Sequence, residues 1–181
     1  MKNTEINAFT LESKSNVFRS IISDVGVSVP NGNGAICQTK ALWDTGATNC
    51  VITKNTAQLL CLEPIGFTKV IHAGGDSIFN EYLINLHLPN KIDIPNIKVT
   101  ECSDTSGQFG VIIGMEVITL GDFALTNVKG ISTFSYRIPS IATINYVSDN
   151  KIMKENQLKQ IGRNKKCPCG SGKKAKDCCY K

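Results

Sequence analysis

Apolar and polar positions alternate with a period of two along much of the first 147 residues, the period of a strand with one face buried. The runs VFRSIISDVGVSV (17–29), AICQTKALW (35–43), TKVIHA (68–73), EYLINLHLP (81–89), IPNIKVTEC (94–102), FGVIIGM (109–115) and GISTFSYRIPSIATINYV (130–147) are rich in β-branched and aromatic residues. Turn-forming clusters separate them: PNGNG, AGGDS, LPNKID, SDTSGQ and TNVKG. Turns recurring every ~8 to 15 residues predict an all-β barrel or sandwich rather than βαβ units. One short helix is expected in NTAQLLCL (55–62), and another starting at GMEVITLGD (114–122).

The alternation stops near Ser148. In SDNKIMKENQLKQIGRNKK the apolar residues Ile152, Met153, Leu158 and Ile161 neither alternate nor fill one helix face, which suits a short helix or tether. The expected organisation is a β domain over 1–147, a basic linker over 148–166 and a small appendage over 167–181.

Charge and cysteine divide at the same place. Residues 1–150 hold 10 Lys/Arg against 13 Asp/Glu, while residues 151–181 hold 10 against 2. A slightly acidic body therefore precedes a strongly basic tail. Cys37, Cys50, Cys61 and Cys102 are scattered through the body, whereas Cys167, Cys169, Cys178 and Cys179 fall close together. The polar start MKNTEINAFTLESK lacks the basic-then-apolar pattern of a signal peptide, and no apolar run approaches the ~20 residues of a membrane span. The expectation is a cytoplasmic protein whose body cysteines are reduced core residues.

The tail run CPCGSGKKAKDCC places two pairs of soft ligands either side of a Gly-Ser-Gly turn. Folding back there points four sulfurs at one centre, and four thiolates with no open position make a structural zinc site. Two disulfides, or cysteines without fixed structure, are the alternatives. GSGKK lacks the first glycine and the preceding strand of a phosphate-binding loop. The segment Cys167–Cys179 resembles the SEC-C motif, written C-x-C-x8-C-C, an accessory found on many bacterial proteins. The resemblance implies Zn2+ held by Cys167, Cys169, Cys178 and Cys179, and a docking role toward a protein or the ribosome.

In the body, ALWDTGAT puts a carboxylate straight after an apolar strand end, with Gly46 expected to allow a tight backbone turn. Asp-Thr-Gly alone also fits an ordinary strand-ending turn. The wider pattern resembles the retropepsin-like aspartic proteases: an apolar pair before D-T-G-A, glycines between two strand-like runs in VIHAGGDSIFNEYLINLHLP, and apolar-apolar-Gly before a short helix in VIIGMEVITLGDF. These occur in that order over roughly residues 18–140.

The resemblance implies a retropepsin-like β-barrel with a short helix after the catalytic turn. It makes Asp44 the catalytic acid/base, Thr45 the residue whose hydroxyl braces the two active-site turns, and Gly46 the turn glycine. Ala47, Gly74 and Gly75 would meet substrate, the two glycines from a flap. Ile112, Ile113 and Gly114 would brace the turn from behind. Ala47 stands where two-lobed relatives carry serine, and losing that hydroxyl favours work nearer neutral pH. Trp43 is bulkier than the usual aliphatic residue, and Glu116 stands where relatives often have Asp.

Two carboxylates brought within ~3 Å share a proton, so one can take a proton from water while the other activates the peptide carbonyl. The chain offers one such turn. SDTSG, with Asp104 and Gly107, has its glycine displaced by one, no apolar residues directly before its acid as Asp44 has, and too little chain after it for a second lobe. The expected enzyme is therefore a homodimeric aspartic endopeptidase cleaving peptide or protein, with no cofactor in catalysis. A non-catalytic dimeric scaffold that holds peptides, targeted by its tail, is the alternative. Nucleic-acid binding by the basic tail is a third reading, weakened because Tyr180 is its only aromatic residue. His72 and His87 receive no role.

Overall fold

The computed structural model describes residues 5–31, 34–72, 75–103, 107–150, 156 and 161–179. It divides into two compact units, Met1–Ile141 and Ala142–Lys181.

The first unit is all-β with two short helices. Its elements are β1 (Asn7–Glu12), β2 (Ile21–Ser28), β3 (Ile36–Trp43), β4 (Cys50–Thr53), α1 (Lys54–Leu59), β5 (Gly66–His72), β6 (Gly75–Leu88), β7 (Ile92–Cys102), β8 (Val111–Ile113), α2 (Met115–Ile118), β9 (Asp122–Val128) and β10 (Ile131–Ile138). One sheet runs β2-β3-β8-β4-β7-β6-β5, and a further pairing of β2 with β6 closes it into a barrel. The 14-residue β6 makes this possible. Its first half pairs with β5, from Gly66↔Glu81 to His72↔Gly75, and its second half pairs with β2 over Asn85–His87.

The period of two read from the sequence is the period of burial. Tyr82, Ile84, Leu86 and Leu88 of β6 point inward, where they meet Val25, Val27, Ile92, Ile94 and Val99. Each such side chain contributes about 1.5–3 kcal/mol on full burial. A smaller sheet, β1-β10-β9, packs on the barrel through an aromatic cluster. Phe9, Phe123, Phe134 and Tyr136 of that sheet surround Trp43, the last residue of β3, with ring centroids 4.9 to 6.2 Å from its indole. The indole N–H donates to Ser23 Oγ at 2.9 Å, so a wide ring in place of an aliphatic one is fully accommodated.

The structure departs from the sequence expectation in four elements. β1, β4 and β9 are strands that the pattern did not suggest. The run expected to continue to Val147 ends at Ile138, because Pro139 has no N–H to offer the ladder. Both expected helices are present, and Thr53 caps α1 by accepting from the Thr56 N–H.

The second unit is small. Residues 146–150 are helical, Lys166 and Lys174 form an isolated antiparallel bridge, and a 3₁₀ turn covers Ala175–Asp177. Among its described residues only Cys167 and Ala175 are buried, too few for a hydrophobic core. No helix among the described residues is long and apolar enough to cross a membrane.

Candidate active-site turn and metal centre

β3 and β4 do not pair with each other, although only six residues separate them. β8 lies between them, parallel to β3 (Leu42↔Ile112, Trp43↔Ile113) and antiparallel to β4 (Val51↔Ile112). The connection Asp44–Asn49 must therefore arch over the end of β8. Asp44 extends the β3–β8 ladder by donating its N–H to Ile113 O at 3.0 Å. Its side chain then emerges half-buried, with Thr45 and Gly46 exposed beside it.

The carboxylate is held locally. Gly46 N–H donates to Asp44 Oδ1 at 2.8 Å, and Ala47 N–H donates to Asp44 O at 3.3 Å. Among the described residues this bond from Gly46 is the carboxylate's one protein contact by hydrogen bonding. Gly46 was expected to supply an unusual backbone angle, yet its φ is not in the left-handed region. An added Cβ there would lie 3.2 Å from Asp44 Oδ1, so a larger residue at this position would press on the carboxylate that the Gly46 N–H holds.

The far side of the arch is clamped to the start of α2. Met115 N–H donates to Ala47 O at 2.8 Å, and Glu116 N–H donates to Thr48 O at 3.1 Å. Glu116 Oε1 accepts from Cys50 N–H at 2.5 Å, and Gly114 N–H donates to Cys50 Sγ at 3.4 Å. Gly114 is where two stretches of main chain pass closest: an added Cβ would sit 2.9 Å from Ala47 O and nearer still to Asn49 O. Burial, with the Glu116 carboxylate beside it, pushes the Cys50 thiol up to about 12, so this sulfur packs as a neutral group. The sequence had marked Glu116 only as a departure from relatives. An acid two residues after a buried glycine, at a helix start, was the available signal for this clamp.

The sequence-derived residues are thus distributed unevenly. Asp44, Thr45, Gly46 and Ala47 form the arch, while Ile112, Ile113 and Gly114 lie under and behind it. Gly75 opens β6 in the β5–β6 hairpin. Gly74 and Asp104 lie outside the described residues.

In the tail, the four cysteine sulfurs lie within 4.8 Å of one another. Main-chain bonds fold the segment back on itself: Cys167 N–H to Lys173 O at 2.7 Å, Ala175 N–H to Lys165 O at 2.9 Å and Cys178 N–H to Ala175 O at 3.2 Å. Gly170 and Gly172 adopt φ of 80° and 73°, left-handed positions that the reversal requires of them. Four soft donors converging in this way fit a metal ion.

The SEC-C motif matches residues 163–181. Among solved structures, the chain is similar to a retropepsin-like aspartic protease from Rickettsia conorii, 15% identical with a TM-score of 0.46, over 76% of this chain and 98% of that one. It is also similar to the retroviral protease-like domain of Ddi1 from Leishmania major, 16% identical with a TM-score of 0.39, over 62% of this chain and 93% of that one. No curated protein matches the chain in sequence.

Proposed function

We propose that this chain is an aspartic endopeptidase that works as a homodimer, activating water between the Asp44 carboxylates of two subunits. The observation that carries the reading is the state of Asp44: tethered through one oxygen by the Gly46 N–H, half-exposed, and set on an arch clamped from behind. The bond to Gly46 alone is that of an ordinary Asx turn. It is the clamp behind the arch that holds the carboxylate in place before substrate arrives, as a reacting group requires.

In the proposed dimer the two arches face each other across a two-fold axis. The two carboxylates share one proton, because both cannot ionise at such a distance. The ionised one takes a proton from water as its oxygen attacks the peptide carbon, and the protonated one donates to the carbonyl oxygen. Thr45 is exposed beside Asp44, and in the proposed dimer its hydroxyl bonds the opposite arch. Ile112, Ile113 and Gly114 hold each arch in register. Ala47, Gly74 and Gly75 meet the peptide substrate in this reading.

The tail's role is separate. Zinc is the metal its donor set favours: four thiolates at the usual ~2.3 Å from a tetrahedral ion stand about 3.8 Å apart, within the 4.8 Å spread found here. Cys167, Cys169, Cys178 and Cys179 would hold it. The ion would supply folding energy to a segment with no core, not catalysis. We assign 1–147 to the protease, 148–166 to a linker and 167–181 to a docking element for a protein or ribosome in the cytoplasm.

The test uses subunit mixing. Asp44→Asn should abolish cleavage of a broad peptide library while leaving the dimer folded. Equal amounts of wild type and Asp44→Asn, allowed to exchange, should leave about one quarter of the dimers with two aspartates, since pairing is random. Activity should follow that fraction. Full cleavage by Asp44→Asn alone, or a mixture keeping half rather than a quarter of the activity of wild type at the same total chain concentration, would exclude the shared dyad. A stable dimer of wild type that binds peptides and cleaves none identifies the scaffold alternative.

A further inference from the structure

A second group of side chains, remote in sequence from Asp44, has the connectivity of a nucleophilic relay. It lies on the outward face of β2, β6 and β7. His87 of β6 stands directly opposite Asp93 of β7 and opposite Gly26 of β2, and Ser28 stands opposite Asn85. His87 Nδ1 is 2.7 Å from Asp93 Oδ1, and His87 Nε2 is 2.9 Å from Ser28 Oγ. A carboxylate can only accept, so Nδ1 carries the hydrogen. The Nε2 of the neutral ring is then the acceptor for the Ser28 hydroxyl. Nucleophile, base and orienting acid are thus connected in the order that acyl transfer uses.

Further features suit this reading. Gly26 leaves room for the imidazole: an added Cβ would lie 3.2 Å from His87 Cβ and 2.6 Å from Ile36 Cγ2. Asn85 Nδ2 donates to Ser28 Oγ at 3.4 Å, which helps hold the hydroxyl oxygen with its hydrogen directed at His87 Nε2. Its other end is fixed, because Asn85 Oδ1 accepts from Asn96 N–H at 3.0 Å, which decides that the amide NH₂ faces Ser28. Asn85 also sits at the break in β6–β7 register between Ile84 and Leu86, the kind of bulge that re-aims a side chain. The His87 and Asp93 side chains are 27% and 69% exposed, while Ser28 is 5% exposed, which restricts the approach to a small acyl group.

We propose that Ser28, His87, Asp93 and Asn85 form a second hydrolytic centre, independent of the Asp44 dyad, that cleaves small activated carboxylic esters. Ser28 Oγ bonds to the ester carbonyl carbon as His87 Nε2 takes its proton. The bond to the leaving alkoxide then breaks, and His87 protonates that alkoxide to an alcohol. Water, deprotonated by His87, attacks the acyl-serine and releases the carboxylic acid as the proton returns to Ser28. Ester and water become acid and alcohol, with no other reactant. Ser28 and His87 touch the reacting atoms, and Asp93 is a positioning residue.

The test uses the full chain carrying Asp44→Asn, so that the failure of one centre is not mistaken for the failure of the other. A fluorophosphonate probe should leave a covalent adduct on Ser28, located by peptide mass mapping. His87→Ala should slow that labelling about 100-fold or more, the range of general-base assistance. p-Nitrophenyl acetate should be hydrolysed, with Ser28→Ala reduced to the buffer rate. Asp93→Asn should lower kcat with KM unchanged, and Asp93→Glu should recover part of it. Absence of an adduct on Ser28, or hydrolysis by Ser28→Ala equal to that of its parent, overturns the proposal. The adduct is read on the unaltered serine in both the wild-type and the Asp44→Asn chain, so the result does not depend on a variant folding.

Discussion

Single residues in this chain are constrained most where backbone meets backbone. Gly114 has an ordinary φ, so its requirement is one of space: the carbonyls of Ala47 and Asn49 occupy the place of a Cβ, and main chain cannot swing aside as a side-chain tip can. Gly114→Ala should therefore destabilise the fold by about 1–3 kcal/mol, the usual cost of overpacking, read as a lower urea midpoint with an unchanged m-value. It should also displace the Asp44 arch, so cleavage should fall further than the loss of folded protein explains. The sequence marked Gly114 as structurally important. The physical reason, a crossing of two distant segments, could not be read from it. His87 was less legible still, since its partners Ser28 and Asp93 lie 59 and 6 residues away.

At the scale of elements, the small sheet is tied off by one acidic side chain. Asp122 at the start of β9 stands opposite Arg137 of β10 and accepts from Arg137 Nε at 2.6 Å, Ser140 Oγ at 2.5 Å and the Ile141 N–H at 3.0 Å. The Ile141 amide first, then Ser140 and Arg137, hold its carboxyl well below the usual carboxylate range. A lowered folded-state value means stability that is present above the unfolded value, about 3.9, and lost as pH falls through the folded one. Asp122→Asn should thus be less stable than wild type at pH 7, and the gap should close in strong acid. Urea midpoints of both proteins at neutral and acid pH check this. Elements were legible where alternation was strong, as in β6 and β10. β4 has four residues, too few for a period, and β9 is half-buried at one end and exposed at the other, so neither announced itself.

For the whole molecule, the contrast is between a unit with an extensive apolar core and one without. The first should fold by burial, and the second only with its metal. Removing the metal with a strong chelator, or making Cys178→Ser, should leave residues 161–179 open to limited proteolysis while the urea midpoint of the body stays unchanged. Metal analysis of the untreated protein should give about one zinc per chain. Unchanged protease resistance in the tail after complete metal removal would argue against a metal-dependent fold.

The sequence by itself determined the all-β body, the change of character near residue 148, the cysteine spacing of the tail and the acid that follows a buried strand. Each of these is a local property, set by alternation, composition or spacing along a few consecutive residues. Tertiary structure decided that β8 passes between β3 and β4, that Glu116 grips the arch from behind, and that β2 meets β6 to close the barrel and bring Ser28 to His87. Those outcomes depend on the pairing of segments tens of residues apart. Local pattern specifies which face of each strand is buried, but register and neighbour are fixed only when all the strands compete for the same core.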